Sequence, residues 1–425
     1  MIKIPGFRWW IVLLLFLGTT LSFFDRQVLS ILAPTITRDL KISNEQYSLV
    51  VMAFLLSYTV MFTLGGRLLD RVGTRLGLFL CVSVWSVASA LHAAARNVFQ
   101  LGFFRFLLGL GEGGCIPGVT KGALEWFPLR QRSRAIGLAI GGAAIGSLLA
   151  PPLTVWMEAR IGWRGAFLVT GLLGSLWVLL WLLFYRSPRR SSFVSEKELA
   201  IIEESPAEGD KARSEESAWQ ETIIPWTRLL TLREVWGLMI TRFLLDPVFY
   251  LYMFWIPQYL SQSRGASLAD IGKVAWIPFL TLDVANLLGG WASDRLVRLG
   301  FPVNRARMTV MGIAAALTPI SIFAMFARSM PLAVMLLGVL MFAHGFWITN
   351  YMTLTGDLLP RRSVGTVVGL CGSAGGVGGF LTTLIVGKIS AQFSFVPVFI
   401  AAGVMYPIGF LVILLTIGRT VRVRV

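Results

Sequence analysis

Apolar residues dominate this chain in runs of about twenty, and polar residues gather in the short gaps between the runs. A helix of that length crosses about 30 Å of hydrocarbon, so the pattern predicts membrane-spanning helices rather than a soluble core. Twelve are expected, at 9–32, 46–66, 76–95, 98–126, 135–157, 165–185, 235–259, 270–292, 308–327, 331–356, 364–386 and 395–418. The predicted fold class is an all-α polytopic membrane protein. One long polar stretch rich in Ser, Glu and Lys breaks the rhythm. It divides the chain into an N-terminal six-helix half (1–185), a central loop (186–233) and a C-terminal six-helix half (234–425). Within the loop, SEKELAIIEE predicts a short surface helix followed by flexible linker, and no chemistry is assigned to it.

The halves repeat each other. GGRLLDRVGTRLG (65–77) follows the second run and GGWASDRLVRLG (289–300) follows the eighth, so Asp70-Arg71 recurs as Asp294-Arg295. FPLRQRSRAIGLAIGGAAIG (127–146) matches LPRRSVGTVVGLCGSAGGVG (359–378), with Pro128, Gly137 and Gly146 falling on Pro360, Gly369 and Gly378. Two pseudo-symmetric six-helix halves predict a transporter with its substrate site between them near the midplane. Asp70, Arg71, Arg75, Asp294 and Arg295 are the expected gating-loop residues, with Gly66 and Gly73 allowing a tight turn and close helix approach. The glycines of the fifth and eleventh runs, among them Gly137, Gly141, Gly142, Gly146, Gly369, Gly375, Gly378 and Gly379, are expected at close helix contacts.

Composition agrees: 56% of the 425 residues are hydrophobic and 14% charged, far less polar than a soluble domain. The net charge of +16 would suit nucleic acid, but its distribution excludes that partner. Of 38 Lys and Arg, 25 lie at the N-terminus, the C-terminus and in the gaps on their side, nine in the opposite gaps, and four (Arg26, Arg105, Lys121, Arg242) inside helices. This bias is the positive-inside pattern, and it predicts both termini in the cytoplasm. Cys81, Cys115 and Cys371 all fall in apolar runs and read as packing residues, with no disulfide framework or metal spacing. The first run is too long and charge-interrupted for a cleaved signal peptide, and reads as the first membrane helix.

The charges inside the runs carry the chemistry. Arg105 and Glu112 lie within the apolar stretch 98–126, and Asp25 and Arg26 within the first run. A charge at the bilayer centre costs about 2.5–3.5 kcal/mol on insertion scales, so its retention points to function. Arg105 and Glu112 are two helical turns apart, on one face and separated by about 10 Å. Arg105 can grip a carboxylate through two parallel hydrogen bonds, with Arg26 as a second positive group. The structural alternative is a neutralising pair between Arg105 and Glu112 or Asp25. Asp25 and Glu112 are the candidate proton carriers, since an arginine alternately free and anion-bound would shift a nearby acid and link protonation to substrate binding. Tyr58, Tyr250, Tyr252, Trp255, Trp347 and Tyr351 are candidate lining aromatics and Asn350 a partner for hydroxyls, against the alternative of packing or interfacial belts. His92 and His344 can titrate, or can be satisfied intramembrane histidines. Asp246, beside Pro247 and one turn after Arg242, suggests a structural pair. The G-x-G-x-x-G match at Gly109, Gly111 and Gly114 lies in a membrane run without a preceding strand and carries no weight for dinucleotides. No phosphate-binding loop, zinc cluster or hydrolase triad occurs, so no enzyme and no cofactor are expected, and the energy source is an ion or substrate gradient.

These residues resemble a known family. GRLLDRVGTR (66–75) resembles the signature loop of the major facilitator superfamily. FFDRQVLSILAPTI (23–36), FRFLLGLGEGGCIPGVTKGALEWFP (104–128), LLDPVFYLYMFWIPQYLSQSRG (244–265) and AHGFWITNYMTLTGDLLPRRSVGTVVGL (343–370) resemble its anion:cation symporters, closest to bacterial hexuronate transporters. The resemblance covers nearly the whole chain outside the central loop. It implies the major facilitator fold, proton-coupled import of a small organic anion such as a hexuronate or aldonate by alternating access, and a bacterial cytoplasmic membrane. It implies a monomer in the bilayer with no cofactor beyond the proton gradient. By the same resemblance Asp25 and Glu112 couple protons, Arg26, Tyr58 and Arg105 contact the substrate, and Trp347 and Asn350 belong to the sugar-acid site. The chain departs from the family where hydrogen-bonding residues are expected: Leu138–Ala144 supplies no polar side chain, Cys115 stands for Asn and Gly345 for Gln. Buried sugar hydroxyls need partners, so these departures favour a substrate with fewer hydroxyls or bulkier apolar parts. Export or exchange by the same fold is the nearest alternative, and a non-transporting membrane scaffold the next.

Overall fold

The computed structural model describes residues 3–128, 131–203, 224–392 and 394–418, apart from the side chains at positions 63, 67, 70, 132, 133, 226, 361 and 362. Two compact units make up the chain, Met1–Asp210 and Lys211–Val425. The first holds α1 (Phe7–Asp39), α2 (Asn44–Val72), α3 (Thr74–His92), α4 (Val98–Glu112), α5 (Cys115–Trp126), α6 (Arg132–Phe184) and the short α7 (Glu196–Ile202). The second holds α8 (Arg233–Arg264), α9 (Leu268–Val274), α10 (Ile277–Arg298), α11 (Val303–Leu317), α12 (Met330–Leu358), α13 (Arg361–Gln392) and α14 (Val396–Thr416). The linker expected after the surface helix lies outside the described residues.

Among the described residues, ten helices are long and apolar enough to cross a membrane. Two local features separate that count from the twelve expected crossings. The 53 residues of α6 would span about 80 Å if straight, more than twice a bilayer core. Gly162 interrupts it with φ 72°, ψ 169°, a conformation open to glycine, and α6 is two crossings joined at that point. The run 98–126, expected as one helix, is divided by a turn at Gly113–Gly114 into α4 and α5, each too short to be counted alone. Counting both restores twelve.

Helix starts repeat between the units. Ser43 caps α2 through the N–H of Gln46, and Ser267 caps α9 through that of Asp270, both as reciprocal capping boxes. Asn97 caps α4 and Ser329 caps α12. Packing repeats as well. In the first unit α1 lies along α6 and α2 along α4; in the second α8 lies along α13 and α10 along α12. Gly146 sits against the Thr20 carbonyl and Phe23, and Gly378 against the Phe243 carbonyl and Pro247, where a β-carbon would overlap the neighbouring backbone. Gly142 makes a similar approach to the Phe16 carbonyl, whereas Gly375 and Gly379 face the side chains of Asp246 and Tyr250. Gly137, Gly141 and Gly369 meet nothing within 4 Å and take no part in these seams. Of the two loop glycines, Gly73 has φ +81° at the α2–α3 turn, whereas Gly66 lies inside α2 with open space around it.

Candidate functional site

Glycines build the first-unit site. Gly109 and Gly113, one turn apart, press against the α2 backbone between Phe54 and Phe62, while Gly111 and Gly114 press against Cys81 and Trp85 of α3. The G-x-G-x-x-G spacing is therefore a packing device that lets α2 and α3 close on both sides of α4. Glu112 sits between these contacts, fully buried at the end of α4.

Across from it, α1 supplies Asp25 and Arg26, both buried. Arg26 Nε meets Glu112 Oε2 at 2.6 Å, and the Ser22 hydroxyl donates to the same oxygen at 3.4 Å. The Arg26 guanidinium also lies over the rings of Tyr58 (4.2 Å) and Phe23 (4.5 Å), a cation–π cage that keeps the charge out of hydrocarbon. Arg105, 1% exposed, donates from Nη2 to the Arg26 carbonyl at 3.2 Å, leaving Nε and Nη1 without partners. The alternative pairing of Arg105 with Glu112 does not form. Arg105 lies two turns back along the same helix as Glu112, whereas Arg26 reaches across from α1. Asp25 is surrounded by the hydroxyls of Thr170 and Ser89 and by the charges of Glu112 and Arg105, and neither of its oxygens makes a hydrogen bond of good geometry. Two acids and two arginines thus form a buried cluster with no net charge when all four are ionised.

The second unit holds a smaller counterpart. Arg242 and Asp246 pair at 2.8 Å one turn apart on α8, as the sequence suggests, and the absence of a side chain at Gly375 leaves room for that carboxylate. His344 hydrogen-bonds through Nδ1 to the Tyr406 hydroxyl and stacks on Phe249. Trp347, 1% exposed, packs edge-on against Tyr406 and Phe410. Asn350 donates from Nδ2 to the Gly289 carbonyl, tying α10 to α12, and its Oδ1 is buried without a partner. Tyr250 is half-buried with its ring against Gly379. Tyr351 donates to the Leu238 carbonyl at 2.9 Å and acts as a helix tie. At Gly345 a β-carbon would overlap the Leu282 carbonyl. Close helix approach therefore leaves no room for a glutamine side chain at this position.

The residues expected in gating loops divide. Arg75 donates to the Leu182 carbonyl at 2.7 Å, and Trp181 donates to the Arg75 carbonyl, tying the start of α3 to the end of α6. Arg71 and Arg295 are exposed, and the Asp70 side chain lies outside the described residues. Asp294 pairs with Arg307 at 3.2 Å, and Arg307 also meets Asp357 at 3.6 Å. In the first unit Glu125 accepts from Thr74 (2.5 Å) and from the Tyr185 hydroxyl (2.6 Å). Glu125, Asp357 and Arg307 stand outside the residues that the sequence pattern singles out. The signal was present, since Glu125 falls on Asp357 at the same offset that maps Gly146 onto Gly378. The central loop also has a role that its polarity concealed: buried Glu198 of α7 accepts from the backbone N–H groups of Phe7 (3.2 Å) and Arg8 (3.1 Å) and so caps α1.

Comparison with known proteins gives a concordant picture. Residues 15–383 match the family model described as Major Facilitator Superfamily. The chain is 32% identical over 414 residues to the hexuronate transporter of Escherichia coli K12, covering 97% of this chain and 94% of that protein. It is 29% identical over 422 residues to the D-galactonate transporter of Escherichia coli O6:H1, covering 99% and 98%. Among solved structures, a bacterial homolog of the human lysosomal transporter Spinster, in an inward-facing, unoccupied conformation, superposes with a TM-score of 0.74 at 19% identity, covering 97% of this chain and 96% of that one. At that identity the likeness speaks for the fold alone.

Proposed function

The chain belongs to the Major Facilitator Superfamily and is a multi-pass membrane transporter, not an enzyme; from that premise we propose that it imports a monovalent sugar acid, a hexuronate or aldonate, together with protons by alternating access. The observation that carries this reading is the charge balance of the buried cluster. Asp25, Arg26, Arg105 and Glu112 sum to zero when ionised, and all four are nearly inaccessible. Adding a carboxylate alone would leave one uncompensated negative charge in a low-dielectric interior, which is strongly unfavourable. Adding a proton with it restores neutrality. Anion and proton therefore favour each other's binding, which is the thermodynamic requirement for symport.

Roles follow from what each group has left to offer. Arg105 keeps two unpaired nitrogens and takes the substrate carboxylate in a forked contact. Arg26, already paired with Glu112, supports it, and Tyr58 borders the same guanidinium. Asp25, with both oxygens free, takes up the proton, and Glu112 couples it to the Arg26 pair. Tyr250, Trp347 and Asn350 of the second unit are our further candidates for substrate binding. Asp70, Arg71, Arg75, Asp294 and Arg295 act in gating. The sugar-acid assignment rests on what the relatives carry. The protein works as a monomer in a bacterial cytoplasmic membrane with both termini inside, a topology favoured by the 25-to-nine distribution of Lys and Arg.

The test is uptake of labelled galacturonate, glucuronate and galactonate into proteoliposomes, with and without an inward proton gradient. Accumulation that collapses with the gradient is expected. Equal uptake in both conditions would remove the proton-coupled reading, and no uptake of any of the three by folded protein would remove the sugar-acid assignment.

A further inference from the structure

On the proton-coupled reading, a proton has to reach Asp25. The Asp25 carboxylate is sealed from solvent, 2% exposed, so a proton must travel to it through the protein. The polar groups beside it are the hydroxyls of Ser89 on α3 and Thr170 on α6, which hydrogen-bond each other at 2.8 Å. The next layer repeats the same two helices one turn further on. His92 is three residues beyond Ser89, Phe167 is three residues before Thr170, and their rings stack at 4.8 Å with an interplanar angle of 14°. Because these two helical stretches run in opposite directions, both steps lead the same way, by about 4.5 Å. They lead to the end of α3, which closes at His92 before the turn to α4. The charge bias makes this the outer face.

His92 is fully buried, and its two nitrogens are not equivalent. Nδ1 lies 2.6 Å from the Ala88 carbonyl, an acceptor, so Nδ1 carries the ring proton. Nε2 is then a bare lone pair, and it has no partner. An unpartnered buried acceptor is a cost that a phenyl ring, stacking equally well on Phe167, would avoid. Beyond the ring, Trp163 meets Phe167 edge-on and donates to Asp39 at 2.9 Å, and Arg164 pairs with the same carboxylate. The aromatic contacts thus run from His92 through Phe167 to Trp163, which is held by Asp39.

We propose that His92 Nε2 and the Ser89–Thr170 hydroxyl pair form the proton route from the face carrying Asp39 to Asp25. A proton arriving at Nε2 makes the imidazolium. It passes to a hydroxyl oxygen as the hydroxyls hand their own proton on to an Asp25 oxygen. One proton has then moved inward, and His92, Ser89 and Thr170 return to their starting forms. The charges facing the route come from α4. Arg105 of α4 acts on both His92 and Asp25, and Glu112 acts on Asp25 alone among the two; α6 contributes Phe167 and Thr170, which carry no charge. Arg105 repels an imidazolium, so the route conducts poorly while Arg105 is bare. A carboxylate held on Arg105 removes that repulsion, and anion occupancy opens the path that loads the proton.

His92→Phe keeps the stack on Phe167 and deletes Nε2, and Ser89→Ala breaks the chain one step nearer Asp25. Both are compared with wild type in proteoliposomes by two measurements on the anion that wild type accumulates: initial rate of gradient-driven uptake, and counterflow at equal pH on both sides, which needs no net proton movement. The expected result is at least a tenfold loss of gradient-driven uptake for His92→Phe, a smaller loss for Ser89→Ala, and counterflow within twofold of wild type for both. Wild-type gradient-driven rates in His92→Phe overturn the route. Parallel loss of both activities in folded protein overturns it too, leaving His92 a packing residue. Failure of wild type itself to respond to the gradient would be a failure of the coupling reading, visible before either variant is made.

Discussion

Arg26 and Glu112 hold each other in a place where neither is stable alone. Removing one partner of a buried pair costs about 3–5 kcal/mol because the other charge is left uncompensated. Arg26→Ala should therefore lower the thermal unfolding midpoint in detergent markedly, and Arg26→Ala/Glu112→Ala should recover most of the loss; an equal midpoint for the single and double variants would count against the pair as drawn. Glu112→Gln tests function at the same residue. It should abolish gradient-driven accumulation while sparing substrate exchange, and unchanged accumulation would remove Glu112 from the coupling path. That these four charges lie buried within the helices was legible in the sequence, since they fall inside apolar runs. Which acid pairs with which arginine was not. Arg105 and Glu112 share a helix face, yet Glu112 turns to Arg26 on another helix.

Helix seams depend on single glycines, and the cost of filling one is set by what lies opposite. At Gly378 a side chain would meet the Phe243 carbonyl, which cannot move without shifting α8. Overpacking of this kind typically costs about 1–3 kcal/mol. Gly378→Val should destabilise the protein by that order, whereas Gly369→Ala, facing open space, should be close to neutral; comparison of their unfolding midpoints distinguishes the two. The helix caps give a second test. Glu198 caps α1 from the polar central loop, and loss of such a cap costs about 0.5–2 kcal/mol. Glu198→Ala should loosen α7 and speed trypsin cleavage at the neighbouring Arg190 and Lys197; an unchanged digestion rate would mean that the cap contributes little to holding the loop. The existence of the helices was written in the length of the apolar runs, and their ends in caps such as Asn97 and Ser267. Division of the run 98–126 at Gly113–Gly114 was not, because the same glycines serve equally as helix contacts until the neighbours are known.

At the scale of the molecule, the distribution of basic residues predicts which loops face which side. Ala266→Cys, after α8, should react with a membrane-impermeant maleimide in intact cells, whereas Phe301→Cys, after α10, should react only once the membrane is opened. The native Cys81, Cys115 and Cys371 are buried and give little background. The reverse pattern would invert the topology and with it the direction of the proposed proton route. A repeated, helical membrane protein whose second half echoes its first, with Asp25, Arg26, Arg105 and Glu112 as its unusual charges, is readable from residue order alone. This is so because hydrophobic length, charge bias and an internal offset are all properties of one dimension. Tertiary structure alone decided that Glu112 belongs to Arg26, that Asp25 and two nitrogens of Arg105 are left without partners, that Gly345 is a contact, and that His92 stands one turn from the hydroxyls beside Asp25. Those facts depend on which side chains distant segments bring within about 3 Å of one another, and spacing along the chain carries no record of that.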